Sequence, residues 1–145
     1  MSQSALARPT AKVLYTAHVQ TTGGREHGIS RSSDGYLDVK ITPPGSRRPG
    51  TNPEQLFAAG WSACFEAAIG AVARERKIKL PADPTIDAEV DLNFGDDGYS
   101  LRARLNVSLP GLERDIAQAL VEGAHQTCPY SKATRGNIDV AITLV

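Results

Sequence analysis

Cysteine, methionine and tryptophan are scarce in this 145-residue chain, which has two, one and one of them respectively. Two cysteines are too few for the disulfide scaffold of a small secreted protein. In a reducing compartment such a pair is more often catalytic, metal-binding or simply buried. Cys64 and Cys128 lie far apart in the chain, which excludes a CxxC redox motif, and spacing alone establishes no pairing between them. An excess of charge of either sign is also missing, since Lys+Arg and Asp+Glu number 16 each. Nucleic acid and anionic membrane surfaces both require a basic face, and the Arg47-Arg48 pair is too short to make one. No uninterrupted apolar run approaches the roughly 20 residues that span a bilayer. The stretch from Met1 to Thr10 is polar, without the apolar centre of a signal peptide, so a cytoplasmic location is expected. GxSxG, P-loop and GxGxxG motifs are absent, which removes the common hydrolase, nucleotide and dinucleotide signatures.

What is present suits one domain spanning residues 1–145, with 41% hydrophobic and 22% charged residues. The first ten residues are expected to fray. Lys12 to Thr21 is rich in β-branched and aromatic types and predicts a strand. Gly23-Gly24 marks a turn, placing Arg25 just after a tight bend. A second turn at Asp34-Gly35 precedes a half-buried strand with Leu37, Val39 and Ile41 on one face. Pro43 to Gly50 must be a loop. Thr51 or Asn52 can cap the helix that follows, with Pro53 in its first turn and Glu54 at the positive end of its dipole. That helix has no breaker until Pro81, predicting an end near Leu80. Its many alanines and glycines predict a central, nearly engulfed helix.

Two alternating segments, Thr85 to Phe94 and Leu101 to Leu109, flank Gly95-Asp96-Asp97-Gly98 and predict a hairpin. A second amphipathic helix is expected from Leu112 to Thr127, with Leu112, Ile116, Ala119, Leu120 and Ala124 on its apolar face. Pro129 interrupts it, a short turn can follow, and Ile138 to Leu144 closes the chain as a strand. Partly segregated strands and helices with antiparallel hairpins define an α+β class.

The local setting of each cysteine leaves its role open. Cys64 shares a helix face with Phe57, Gly60, Trp61, Ala67, Ala68 and Ala71. A thiol there is an inert core residue unless a cation stabilises its thiolate. Cys128 precedes Pro129 and either caps a short helix, where free N–H groups favour a thiolate, or merely packs under a helix end. His125 and Cys128 have a ligand-like spacing, but two ligands do not make a zinc site, and no bound metal is expected. His18 and His27 read as ordinary surface or boundary residues.

Four segments break this balance: TGGREHG (Thr22 to Gly28), SSDGYLDVK (Ser32 to Lys40), TNPEQLFAAGWSACF (Thr51 to Phe65) and CPYSKATRGNIDV (Cys128 to Val140). Together they closely resemble the organic hydroperoxide resistance (Ohr) family of the OsmC/Ohr superfamily, in the family's order and over nearly the whole chain. The resemblance implies an intertwined α+β homodimer, with antiparallel sheets wrapped around central helices. It implies that Cys64 is the peroxidatic cysteine and Cys128 the resolving one. Arg25 and Glu54 would be the pair that activates the thiol. The implied substrate is an organic hydroperoxide, and the implied external reductant is dihydrolipoamide carried on a lipoylated protein, with no bound cofactor. The loop from Pro43 to Gly50 is a few residues shorter than in many members.

Elementary chemistry agrees with these implied roles. An arginine fork can hold both a thiolate and peroxide oxygens, which a lysine cannot reproduce. Glu54 precedes Cys64 by ten residues, about 15 Å along a straight helix. It therefore reaches the thiol through a bend near Gly60, through Arg25, or from another subunit. Phe57, Trp61 and Phe65 are candidates for lining a channel for the organic group, with core packing as the alternative for each. Such a channel would favour fatty-acid or aryl hydroperoxides over hydrogen peroxide. Two other functions remain: an OsmC-type peroxidase, and a non-enzymatic peroxide sensor that is oxidised without turnover.

Overall fold

Glycine and proline punctuate the chain at the points where its backbone reverses. A computed structural model describes residues 10–145, so the expectation of fraying falls, apart from Thr10, outside the described residues. The chain forms two units, one up to Thr51 and one from Asn52 to Val145.

The first unit is a three-stranded antiparallel sheet in the order β1-β2-β3, comprising β1 (Val19–Thr22), β2 (Gly28–Ser32) and β3 (Asp38–Ile41). A single helical turn, α1 (Gly24–His27), links β1 to β2 and carries Arg25 directly after the predicted bend. Gly23 has φ 82°, and a Cβ there would stand 2.3 Å from the His27 carbonyl oxygen, so only glycine fits. At the other turn the Asp34 carboxylate accepts from the Tyr36 N–H at 3.0 Å and from the Ser32 hydroxyl. The Ser32 hydroxyl first, and then the Tyr36 N–H, hold that carboxyl below its ordinary pKa.

The strand expected from Lys12 to Thr21 is mostly absent. Ladder pairing begins only at Val19, opposite Ser32, the last residue of β2. Ser33 N–H still bonds to the His18 carbonyl at 2.9 Å, but the chain then turns, so among the described residues no strand pairs with residues 12–17, and Val13, Leu14 and Tyr15 are 78–87% exposed. Strand composition without a neighbour to receive its hydrogen bonds makes no strand.

The second unit starts with a long helix, α2 (Pro53–Glu75), whose Asn52 cap accepts from the Gln55 N–H at 2.9 Å. The helix ends five residues short of the expected Leu80. Lys77 adopts φ 59°, Ile78 N–H bonds back to the Ala73 carbonyl at 2.8 Å, and Lys77 N–H bonds to Arg74 at 3.1 Å. This is a Schellman closure built on a lysine where glycine is usual.

Trp61, Phe65, Ala68, Ile69, Val72 and Ala73 bury one face of α2, while Ala59, Ala63 and Ala67 are exposed. Within this chain the helix is therefore covered on one side only, not engulfed. The helix has 23 residues, and an 18-residue window within it has a mean hydropathy of 1.5, which is long and apolar enough to cross a membrane by length and composition. That corrects the expectation that no segment qualifies. The large apolar side chains nevertheless belong to the core, where full burial of each contributes about 1.5–3 kcal/mol.

The predicted hairpin is present as β4 (Thr85–Gly95) and β5 (Gly98–Ser108), with Asp96-Asp97 at its tip and Gly98 at φ 91°. Ala103, Leu105 and Val107 of β5 join the core, and the pairs Leu92–Leu101 and Phe94–Tyr99 carry the apolar face out to an exposed tip. The chain then forms α3 (Arg114–Thr127), α4 (Pro129–Thr134) and β6 (Asp139–Leu144).

The sheet order is β4-β5-β6, and β6 runs parallel to β5. This corrects the expectation of purely antiparallel sheets. A parallel partner requires a long crossover, which α3 and α4 supply. The apolar face of α3 is also rotated from the expected one. Ala117, Leu120, Val121 and Ala124 are buried at i, i+3, i+4 and i+7, whereas Ile116 and Ala119 are exposed.

Candidate active site

Cys64 sits in the middle of α2 and is half-buried; Cys128 is fully buried between α3 and α4. Both are free thiols. Cys128 lies one turn beyond Ala124 on the buried stripe of α3, and its N–H still bonds to the Ala124 carbonyl at 2.8 Å. Pro129 cannot continue that ladder, so the chain turns at Cys128 and restarts as α4, with proline in the first helical position. The junction holds the Cys128 sulfur against α2, within side-chain hydrogen-bonding reach of the Cys64 thiol.

The surroundings act on the Cys64 thiol in opposite directions. Burial, followed by the hydrogen bond that the Cys64 S–H donates to the Cys128 sulfur, pushes its pKa above the ordinary cysteine value. The backbone N–H of Tyr130, at the start of α4, bonds to the sulfur and pulls the pKa down, but the net effect is upward. Within this unit Cys64 is therefore a protonated thiol at neutral pH. Making it nucleophilic takes a further positive group.

Two contacts seat α4 on α2. The Tyr130 ring lies over Gly60, where a Cβ would stand 2.7 Å from Oη and 3.2 Å from Cζ. Phe57 meets that ring edge-on at a centroid distance of 6.2 Å, and meets Trp61 at 5.6 Å. Below them Trp61 Nε1–H donates to Ser131 Oγ at 3.3 Å, with both residues wholly excluded from solvent. Leaving either partner unsatisfied there would cost about 1–3 kcal/mol.

The remaining expected residues are placed as follows. Glu54 stands in the first turn of α2. The helix runs unbroken through Gly60, so the bend that would have carried Glu54 to Cys64 on the same helix is absent. Arg25 belongs to α1 of the first unit. Of the three candidate channel residues, Phe57 is half-buried, while Trp61 and Phe65 are core residues with no exposure. Sequence reasoning placed Gly60 on the Cys64 face but missed that it seats Tyr130, and it missed Tyr130 and Ser131 themselves. Their signal was a glycine one turn before Cys64, and a tyrosine and serine immediately after Cys128-Pro129. Among the described residues no three His, Cys, Asp or Glu side chains converge to hold a metal ion.

Residues 44–143 match the family model described as OsmC-like protein. Over 137 residues the chain is 51% identical to the organic hydroperoxide resistance protein of Xanthomonas axonopodis pv. citri (strain 306), covering 92% of this chain and 96% of that protein. The chain belongs to the OsmC/Ohr family. It is also similar to the Bacillus subtilis organic hydroperoxide resistance protein OhrB, at 46% identity over 136 residues, covering 90% of this chain and 98% of that protein. The crystal structure of OhrB superimposes with a TM-score of 0.85 and 45% identity, covering 92% of this chain and all of that one. The mixed α+β architecture, with its two small sheets and its helices, is thus that of the OsmC/Ohr family, as the four sequence segments implied.

Proposed function

We propose that this protein is a cysteine peroxidase that detoxifies organic hydroperoxides, using Cys64 as the nucleophile and Cys128 as the resolving thiol. The reading rests on one observation above all: two thiols from distant parts of the chain lie side by side, one half-buried and one enclosed. The names of the relatives point to the same substrate class. In the first step the Cys64 thiolate attacks the terminal peroxide oxygen. The O–O bond breaks, the leaving alkoxide takes a proton to become an alcohol, and Cys64 is left as a sulfenic acid. The Cys128 thiol then displaces hydroxide from that sulfur, giving a Cys64–Cys128 disulfide and water. An external dithiol reduces the disulfide by exchange and is itself oxidised to a cyclic disulfide. In this reading the dithiol is dihydrolipoamide on a lipoylated protein.

In this reading Arg25 supplies the positive charge that favours the Cys64 thiolate, and Glu54 orients it. Phe57, half-buried beside Tyr130, forms the apolar wall for the organic group, backed by Trp61 and Phe65. A second copy of the chain covers the small-residue face of α2. The exposed Ala59, Ala63 and Ala67 support that homodimer, as do the exposed Phe94 and Tyr99. The chemistry suits the cytoplasm, where dithiol reductants are available.

Steady-state turnover of cumene hydroperoxide with dihydrolipoamide tests the proposal. Wild type should turn over many equivalents and prefer cumene hydroperoxide to hydrogen peroxide, and Cys64→Ser should be inactive. Oxidation that stops after one equivalent in the presence of dihydrolipoamide would make the protein a sensor instead.

A further inference from the structure

The resolving thiol lies where α3 gives way to a weak element, α4. α4 has six residues, too few to be stable as a helix by itself, and its first residue is a proline without an N–H. Its position must come from what it touches. Three of those contacts converge on one stretch of α2: the Tyr130 ring on Gly60, the Tyr130 N–H on Cys64, and Ser131 Oγ accepting from Trp61 Nε1–H at 3.3 Å. Only the last is a directional bond between two wholly buried polar side chains. Trp61 lies one helical turn before Cys64, and Ser131 one turn after Cys128. The bond therefore joins the two helices about one turn from each cysteine.

Disulfide formation is sensitive to this kind of register. It needs Cβ atoms about 3.5–4.5 Å apart and a torsion near 90°, and a misplacement of about 1 Å can cost a reaction up to 100-fold. Once Cys64 is a sulfenic acid, two reactions compete. Cys128 can condense with it, releasing water. Alternatively a second hydroperoxide can transfer its terminal oxygen, releasing another alcohol and leaving a sulfinic acid that the dithiol cannot reduce.

We infer that Ser131, acting through Trp61, is a positioning residue for the resolving step, and that this buried bond sets how often Cys64 is rescued as a disulfide rather than lost as a sulfinic acid. The inference rests on the peroxidase reading above and adds to it a determinant of resistance to overoxidation.

The test is mass spectrometry of the reduced full chain after graded cumene hydroperoxide, reading the ratio of Cys64 sulfinic acid to Cys64–Cys128 disulfide. Wild type, Ser131→Ala, Trp61→Phe and the double variant are compared, with thermal midpoints recorded in parallel. Trp61→Phe keeps an aromatic ring in the core while removing the donor and part of the indole's volume, which covers the case in which Ser131→Ala fails to fold. Each single variant should raise the ratio by a factor on the order of 10. The double variant should be no worse than the worse single one, because both remove the same bond. Lower midpoints with an unchanged ratio would reduce the bond to a purely structural role and overturn the inference. If wild type forms no Cys64–Cys128 disulfide at all, the peroxidase reading fails first, and the inference falls with it.

Discussion

Replacing Gly60 with alanine sets two opposed effects against each other at the point where α4 rests on α2. An alanine in a helix interior is favoured over glycine by about 0.8–1.0 kcal/mol. The new methyl would lie 2.7 Å from Tyr130 Oη, 3.2 Å from Cζ and 3.4 Å from Cε2, so the phenol end must retreat by several tenths of an ångström. Tyr130 is 39% exposed and the clash is at the tip of its side chain, so the ring can swing outward. Doing so weakens its edge contact with Phe57, a term of about 0.5–1.5 kcal/mol. The two effects nearly cancel, and Gly60→Ala should change stability by less than about 1 kcal/mol, or about 2–4 °C in midpoint.

A double-mutant cycle resolves the cancellation. In a Tyr130→Ala background the obstruction is gone, and Gly60→Ala should then stabilise by close to the full 1 kcal/mol. The coupling between the two positions should be about 1 kcal/mol, read from urea unfolding of the reduced protein. Equal effects of Gly60→Ala in both backgrounds, within about 0.3–0.5 kcal/mol, would refute the idea that Tyr130 is seated on this glycine.

Three further predictions concern charge and assembly. Arg25→Ala should move the pH profile of Cys64 alkylation upward and slow the peroxide reaction at pH 7 by a factor on the order of 10. Arg25→Lys should recover only part of that loss, because it lacks the fork; coincident profiles for all three proteins would remove Arg25 from the site. Burial, and then the nearby Arg135 charge, lower the pKa of His125 below its ordinary value, so its neutral form is favoured by folding. Its contribution is fully present above the unfolded histidine pKa of about 6.5 and is lost as pH falls through the depressed folded value. Thermal midpoints should drop between about pH 7 and pH 5, and less so in His125→Gln; Asp34, also depressed, acts only in the lower carboxylate range. Ala63→Leu on the open face of α2 should weaken self-association by an overpacking cost of about 1–3 kcal/mol, visible as monomer in sedimentation. Unchanged association would place any dimer interface elsewhere.

The features legible in the sequence were those specified locally. The tip at Asp96-Asp97, the glycine bend before Arg25, the Asn52 cap and the restart at Pro129 each depend on residues within one turn of themselves. The misreadings occurred where a distant partner decided the outcome. Residues 12–17 have the composition of a strand, but β2 ends before it can pair with them. The end of α2 was hidden because Lys77 takes the left-handed position usually marked by glycine. The stripe of α3 turned on whether Ile116 or Val121 faced inward, which its packing against α2 settles. At the site, spacing alone did not bring the cysteines together, and their pairing was legible only through the family resemblance. Nor could the sequence show that burial and Cys128 together oppose ionisation of Cys64, because that depends on the packing of α4 against α2.

The parallel pairing of β6 with β5 also imposes an order of events. Cys128 lies inside the crossover that must be laid down before β6 can dock, and the ladder closes only when Asp139–Leu144 reaches Arg102 to Val107. Long-range parallel pairing is slow because its closure entropy is incurred before any contact rewards it. During synthesis, Cys64 therefore emerges well before the thiol beside which it will rest. Peroxide meeting the protein in that interval finds a cysteine with no resolving partner, and its oxidation would run toward the irreversible acids. Under the proposed chemistry, that exposure to the oxidant ends only when the α3–α4 junction packs on α2 and brings Cys128 beside Cys64.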